Sequence, residues 1–222
     1  TTEIYTLSLH DALPISPLDA SALSDAERIE VTVWRSTLAA LDAGADAAQW
    51  FSAFLGAPVR LVRFDPAAQR IANRDWTGDT VAPLRFADGY PLLVIGQASL
   101  DDLNARLAKR SVDPISMNRF RPNLVLSGIE AYEEDYIDTL RVATGAGEIG
   151  LRFVKPCTRC PIPTIDQSSG APDPRWPHEP TDTMSAYRAD ARMDGQLTFG
   201  QNAVVTEGAG TAPGAAVPGY RV

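Results

Sequence analysis

Cysteine and histidine, the residues that most often bind soft metals or act as nucleophiles, are scarce in this chain, which has two of each in 222 residues. Cys157 and Cys160 stand three apart in the segment KPCTRCPIPTID, and one such pair does not make a disulfide scaffold. A ferredoxin-like iron–sulfur module needs four cysteines, which this sequence does not have. A structural zinc site is poorly supported as well, because His10 lies in a segment interpreted below as non-native and His178 alone would leave carboxylates to complete the ligands.

The sequence also has few positively charged residues relative to acidic ones, and it has no long apolar run. The 28 acidic residues outnumber the 20 lysines and arginines, which gives a formal net charge of −8. Nonspecific binding to nucleic acid is therefore not expected, and any anionic ligand must be held by a local cluster of Arg and Lys. No apolar run approaches the roughly 18 residues of a membrane span, so none is predicted.

Neither end of the chain is predicted to be the natural terminus of the protein. The first fifteen residues, TTEIYTLSLHDALPI, match the translation of a common short-read sequencing adapter, so residues 1–16 are interpreted as non-native and are left out of the fold. The chain ends on the strand-like run 219–222 without a cap or turn, and this pattern predicts truncation there.

Hydrophobic periodicity predicts two groups of elements. In the first, residues 28–34 and 59–64 alternate as strands, and residues 46–55 form a helix that Gly56 ends. Residues 65–80 are polar and irregular, and are interpreted as a long loop at a domain boundary. In the second, residues 91–95 and 124–126 are buried strands, 140–142 and 149–154 a hairpin, 181–187 a short helix, and 197–205 a strand interrupted at Gly200.

Between these strands, Ser99 is predicted to cap a helix in a capping box with Asp102, and Leu100, Leu103 and Leu107 form its buried stripe. From residue 81 onwards strands outnumber helices. The predicted fold class is therefore α+β and β-rich, with a barrel-like β core and a few helices.

The CxxC pair has three open interpretations. Both thiols could simply be small buried side chains. They could be a redox pair, although Pro161 and Pro163 forbid the α-helix that usually follows such a pair. One sulfur could be a metal ligand, because a thiolate beside cations stays deprotonated more easily.

Three further segments are candidates for binding. MNRFRPN offers Arg119 and Arg121 as planar donors for phosphate or carboxylate, or else forms a solvated strand end. FADGYP reads alone as an ordinary turn, and FGQN places a glycine where a ligand or backbone often approaches closely. His178 and the acidic run Glu133–Asp135 are interpreted as solvated surface and suggest no site.

Taken together and in order, four segments resemble the MOSC domain family, and in particular its amidoxime-reducing branch of bacterial YcbX-type and mitochondrial proteins. They are FADGYPLLVIGQASLDDLNARL, MNRFRPNLVLSGIEAYEEDY, VKPCTRCPIPTID and FGQNAVV. The resemblance implies a MOSC β-barrel over residues 81–222, preceded over residues 17–80 by the remnant of an N-terminal β-barrel domain.

The family resemblance implies a molybdenum cofactor, in which a pterin dithiolene chelates the metal. Cys160 would then be the metal ligand and the catalytic residue. A family-level expectation of pyridoxal phosphate binding comes with the same resemblance. The residues implied in cofactor binding are Asp88, Gly89, Tyr90, Asn118, Arg119, Arg121, Thr158, Arg159, Gln201 and Asn202.

The implied reaction is the reduction of N-hydroxylated compounds such as amidoximes, hydroxylamines and N-hydroxylated bases. Electrons would come from a partner, a ferredoxin-like protein or a flavin reductase, either separate or fused in the intact gene. The expected location is the bacterial cytoplasm. A basic N-terminal segment of the family is not found here, so this fragment is expected to hold cofactor weakly or not at all.

Two alternatives to the reductase remain open. The chain could be a carrier module that holds cofactor or sulfur without its own catalysis, or a thiol oxidoreductase that uses Cys157 and Cys160.

Overall fold

The computed structural model describes residues 26–144 and 147–208, which contain eleven strands and four α-helices. The helices are α1 (Ala45–Leu55), α2 (Arg74–Thr77), α3 (Gln97–Lys109) and α4 (Thr181–Ser185). The strands are β1 (Arg28–Val33), β2 (Ser36–Asp42), β3 (Val62–Phe64), β4 (Leu92–Gly96), β5 (Leu124–Leu126), β6 (Thr139–Thr144), β7 (Gly147–Thr158), β8 (Ile165–Asp166), β9 (Ala171–Pro172), β10 (Ala189–Asp190) and β11 (Gln196–Glu207).

The described chain divides into two compact units, of which the first contains residues 26–71 and 83–89. Its sheet is antiparallel in the order β1-β2-β3, and α1 ends at Gly56 in the left-handed conformation that favours glycine. The predicted β1 and α1 are therefore confirmed. The predicted strand at 59–64 is shorter than expected, because only Val62–Phe64 pairs with β2.

The second unit contains residues 72–82 and 90–208 among those described. Its main sheet runs β5-β4-β11-β7-β6, with β10 paired to β11, and curls into a half-barrel. All its pairs are antiparallel except β4 and β5, whose parallel pairing requires the crossover that α3 provides. These features confirm the α+β, β-rich fold class.

The segment predicted to be a loop at 65–80 contains a helix, which corrects that prediction. Helix α2 is only one turn long, and Asn73 caps it by accepting a hydrogen bond from the backbone N–H of Asp75 at 2.9 Å. Its polar sequence gave no apolar stripe from which a helix could be predicted.

Helix α3 packs its predicted leucine stripe into the main core, and burial contributes about 2 kcal/mol for each leucine. The rings of Phe120 and Phe199 stack there with centroids 4.2 Å apart. The predicted cap at Ser99 is wrong, because α3 begins at Gln97 and Ser99 is buried within its first turn. The capping pattern failed because both side chains have other partners, Glu134 for Ser99 and Arg106 for Asp102.

Strand β11 contains the predicted interruption at Gly200. Thr198 pairs with Thr158 and Gln201 with Pro156, so β11 has one more residue than β7 across this interval. Gly200 has φ +79°, and a Cβ there would lie 2.5 Å from Cγ1 of Ile95. The strand therefore needs glycine at its bulge.

Candidate functional site

The CxxC pair lies where β7 leaves the main sheet. Thr158 is the last residue of β7, and the Arg159 N–H continues the ladder by donating to the Leu197 carbonyl at 2.8 Å. Cys157 is half-buried and Cys160 is exposed, and both thiols are free. The interpretation in which both cysteines are buried is therefore wrong for Cys160.

The Arg159 guanidinium joins this loop to the Phe120 segment. It donates to the Cys157 sulfur at 3.2 Å and to the Phe120 carbonyl at 3.0 Å, and its centre lies 5.3 Å from the centroid of the Phe120 ring. Its Nε is buried without a hydrogen-bond partner among the described residues. A buried N–H without a partner costs free energy, and an acceptor on a bound ligand would satisfy it.

Arg119 holds the loop that follows Cys160. It donates to the Thr164 carbonyl at 3.0 Å and pairs with the Asp166 carboxylate at 3.0 Å, while its side chain is only 12% exposed. Hydrogen bonds from Ser168 and the Ser169 N–H, together with the Arg119 charge, lower the pKa of Asp166 to about 2. These contacts already use several N–H donors of the Arg119 guanidinium, which the family resemblance assigns to cofactor binding.

Arg121 differs from Arg119, although the two are only two residues apart. It is exposed, adopts the left-handed conformation with φ +56°, and forms no ion pair within the described residues. The neighbouring Asn118 is also exposed, and its backbone carbonyl accepts a hydrogen bond from the Gln167 side chain. Arg121 and Asn118 therefore keep side-chain donors for an anionic ligand.

The middle of β11 supplies two amides. Gln201 is buried and donates to Asp135 at 2.7 Å, and Asn202 donates to the Lys155 carbonyl at 3.2 Å. Because each amide uses its NH₂ group in these contacts, its carbonyl oxygen remains an acceptor. The amide orientation follows from the hydrogen-bond partners.

Lys155 lies between two aromatic rings beside these amides. Its Nζ is 5.4 Å from the Trp76 ring centroid and 5.9 Å from that of Tyr90. Burial, with a smaller effect from Asp75, raises the pKa of Tyr90 to about 12. A cavity of about 210 Å³ adjoins Lys155, with Trp76 and Gln201 also in its wall, so it combines aromatic and polar surface.

Only Glu133 of the acidic run Glu133–Asp135 is exposed as predicted, and the interpretation of the run as a solvated surface is wrong for Glu134 and Asp135. Glu134 is 1% exposed, and its carboxylate accepts from the Gly96 N–H at 3.1 Å and the Ser99 hydroxyl at 2.7 Å. Asp135 pairs with Arg188 at 2.8 Å in a mostly buried ion pair. Three adjacent acids in sequence gave no signal that two would be withdrawn from solvent, because their partners lie 35 to 66 residues away.

Asp88 and Gly89 belong to the first unit, where a buried arginine forms their turn. Arg70 is 8% exposed and donates to the carbonyls of Arg85, Ala87 and Asp88. The Asp88 carboxylate accepts from the Trp34 indole at 3.2 Å. Sequence reasoning missed Arg70, because an arginine in an irregular segment has no periodic pattern that marks it as buried.

Direct contacts therefore bring several predicted residues together in the second unit, while Asp88 and Gly89 lie in the first. The turn at Met117–Arg119 is joined to the CxxC loop by two hydrogen bonds, from Arg119 to the Thr164 carbonyl and from Arg159 to the Phe120 carbonyl. Strand β11 is joined to β7 by the hydrogen bond from Asn202 to the Lys155 carbonyl. In the part of the chain that the structure describes, no group of three or more His, Cys, Asp or Glu side chains could hold a metal. No helix in residues 26–144 and 147–208 has the length and apolarity to cross a bilayer.

Comparisons with known proteins identify the domain family of this chain. The sequence profile of the MOSC domain matches residues 82–217. Mitochondrial amidoxime-reducing component 1 of Mus musculus is 35% identical over 218 residues, which cover 90% of this chain and 58% of that relative. Mitochondrial amidoxime reducing component 2 of Macaca fascicularis is 37% identical over 150 residues, covering 66% of this chain and 42% of the relative.

A third relative has a different name. Molybdenum cofactor sulfurase of Oryza sativa subsp. japonica is 35% identical over 163 residues, which cover 68% of this chain and 18% of that protein. The chain thus spans about half the length of the amidoxime-reducing relatives and less of the sulfurase. Since the domain profile covers more than half of the sequence, the chain belongs to the MOSC domain family.

Proposed function

We propose that this chain is the cofactor-binding part of a molybdenum-dependent reductase of N-hydroxylated compounds, with Cys160 as the protein ligand to the metal. The observation that carries the proposal is the exposed, free thiol of Cys160, just after β7 ends at Thr158, on a loop held by Arg119 and Arg159. The names of the amidoxime-reducing relatives support the reductase activity.

The residues present fit a metal that takes one ligand from the protein and the others from its cofactor. The described residues offer no cluster of three ligands, so a bound metal would use the Cys160 sulfur and the sulfurs of its own cofactor. A soft thiolate suits such a sulfur-rich centre. The buried, unpartnered Nε of Arg159 is the donor that an anionic or heterocyclic group would satisfy.

The proposed roles follow from which donors remain available. Arg121 and Asn118 would bind the phosphate or pterin, while Arg119 would act mainly by holding the loop after Cys160. The free carbonyl oxygens of Gln201 and Asn202 would accept hydrogen bonds from a heterocyclic edge. The cofactor, when bound, would supply the redox chemistry, and an electron-donor protein would restore it.

The test is to produce the chain in a host that makes the cofactor and to measure molybdenum per chain. We expect weakly held but measurable metal in wild type, loss of at least about tenfold in Cys160→Ala, and retention in the matched control Cys157→Ala. The loaded protein with a chemical reductant should consume an N-hydroxylated compound. Wild-type protein without molybdenum, or equal metal in both variants, would contradict the proposal.

The carrier module is a second candidate, favoured by the match to a protein named molybdenum cofactor sulfurase. In that case Cys160 would hold a labile sulfur without metal. A thiol-bound sulfur released by reductant from wild type and not from Cys160→Ala, in protein that contains no molybdenum, would favour the carrier.

A further inference from the structure

The bulge in β11 lies opposite the strand end that carries the cysteines. Thr198 pairs with Thr158 on one side of the bulge and Gln201 with Pro156 on the other, so Cys157 faces the extra residue. Beyond Thr198, the Leu197 carbonyl accepts from the Arg159 N–H at 2.8 Å. The direction in which β7 continues towards Cys160 therefore depends on the shape of this bulge.

One carboxylate is connected to both sides of the bulge. Asp135 accepts from Gln201 Nε2 at 2.7 Å through one oxygen and from Arg188 Nη1 at 2.8 Å through the other. Arg188 in turn donates through Nε to the Thr198 carbonyl at 2.8 Å. Gln201 and Thr198 flank the bulge, so Asp135 ties its two flanks together.

This connection is enclosed and charged. The side chains of Asp135 and Arg188 are 12% and 10% exposed, and Gln201 and Thr198 are buried. Removing one partner of an ion pair that is so little exposed leaves the other charge buried and uncompensated. The carboxylate is therefore costly to replace with a neutral group.

Asp135 is itself held from a second direction. Its neighbour Glu134 is 1% exposed and accepts from the Gly96 N–H and the Ser99 hydroxyl, both at the start of α3. The same hydroxyl accepts from the Tyr132 N–H at 2.8 Å. The segment that carries Asp135 is thus tied to the start of α3, which holds the carboxylate in place beside β11.

We infer that Asp135 is a positioning residue, which holds the two flanks of the β11 bulge through Gln201 and Arg188 and thereby sets the strand end that leads to Cys160. The inference rests on the proposed function only for the role of Cys160. It predicts that loss of the Asp135 charge loosens the bulge locally, before the rest of the second unit unfolds.

The half-buried thiol of Cys157 reports on this loosening without any cofactor. In a Cys160→Ala background Cys157 is the only thiol, so its reaction with a disulfide reagent can be followed alone. We expect Asp135→Asn to raise this rate about tenfold, because transient opening of the bulge exposes the sulfur. Asp135→Glu, which keeps the charge, should restore much of the protection.

Two controls separate positioning from general stability. Leu107→Ala removes side-chain volume from the core cluster that also contains Phe199 of the bulge but keeps every contact of Asp135, and conditions are chosen so that its unfolding midpoint matches that of Asp135→Asn. Glu148→Gln removes an exposed ion pair on the same sheet. Both should leave the Cys157 rate within about twofold of the parent protein.

The inference is overturned if Asp135→Asn and Leu107→Ala react equally fast at matched stability, or if Asp135→Glu protects no better than Asp135→Asn. Hydrogen exchange at residues 197–203 gives a second measurement, since the amides there should lose protection in Asp135→Asn alone. Both measurements use metal-free protein, so a failure of the proposed reductase function would leave their outcome intact.

Discussion

Two loops that carry predicted site residues are each held by one arginine, but only one of these arginines also has a carboxylate partner. In the first unit, Arg70 donates to the carbonyls of three residues in the turn before Gly89. In the second unit, Arg119 donates to the Thr164 carbonyl and pairs with the Asp166 carboxylate. Each loop thus satisfies its backbone acceptors with one guanidinium.

The two arginines differ in their surroundings. Burial lowers the pKa of Arg70, opposed by the charge of Asp88, and no carboxylate contacts its guanidinium within the described residues. Arg119 has a carboxylate partner whose side chain is 39% exposed. Hence the turn depends on buried hydrogen bonds alone, whereas the CxxC loop has an ion pair that water and pH can modulate.

The largest effect is expected from Arg70→Met. The substitution leaves three carbonyls without their donor, and we expect a loss of about 3 kcal/mol of unfolding free energy. Urea denaturation measures the loss, and hydrogen exchange at residues 83–89 localises it. The control is Arg85→Met, an exposed side chain in the same turn, which should change stability by less than about 0.5 kcal/mol. A loss in Arg70→Met as small as that expected for Arg85→Met would show that the turn does not depend on Arg70.

A smaller loss, about 2 kcal/mol, is expected from Arg119→Met. The loop after Cys160 should then become sensitive to limited proteolysis between residues 161 and 170, because its carbonyls lose their donor. Arg121→Met is the matched control two residues away, and it should leave both stability and proteolysis unchanged. Cleavage at the same rate in both variants would remove the distinction between a structural and a ligand-binding arginine.

The sequence predicted the elements that have strong local patterns and missed those defined by distant partners. The strand β1, the leucine stripe of α3 and the bulge at Gly200 follow from periodicity and from one glycine. The roles of Asp135 and Arg119 do not, because their partners lie 44 or more residues away in sequence. A sequence motif can mark an arginine as a candidate hydrogen-bond donor to a ligand. Only the packed structure decides whether its N–H groups are already bonded within the protein.

A pH-dependent effect should distinguish the two loops. The pKa of Asp166 is about 2 in the folded chain, below its ordinary value of 3.8, so its contribution to stability is present above about pH 4 and is lost as the pH falls towards 2. The difference in urea midpoint between wild type and Asp166→Asn should therefore shrink over this range.

A second variant sharpens this test. Ser168→Ala removes the largest cause of the low pKa of Asp166, the hydrogen bond from the Ser168 hydroxyl. The loss of stability on acidification should therefore be smaller than in wild type and should be complete at a higher pH. A midpoint difference that stays constant between pH 6 and pH 2 would show that the Asp166 contacts do not stabilise the loop.

The smallest effect on stability is expected at Arg121, where stability and ligand binding should move in opposite directions. Its φ of +56° is strained for arginine and free for glycine, so Arg121→Gly should stabilise the fold by about 0.5 kcal/mol. The same substitution removes the exposed guanidinium that we assign to the cofactor, so molybdenum per chain should fall several-fold.

Ser111 provides the matched control for Arg121, since it has φ +59° at the end of α3 and no assigned role in the site. Ser111→Gly should give a similar gain in stability and leave molybdenum content unchanged. If Arg121→Gly retained the full metal content, its strained conformation would have no connection with ligand binding. If it lost metal while Ser111→Gly did not, the strain at Arg121 would be retained because the guanidinium is needed there.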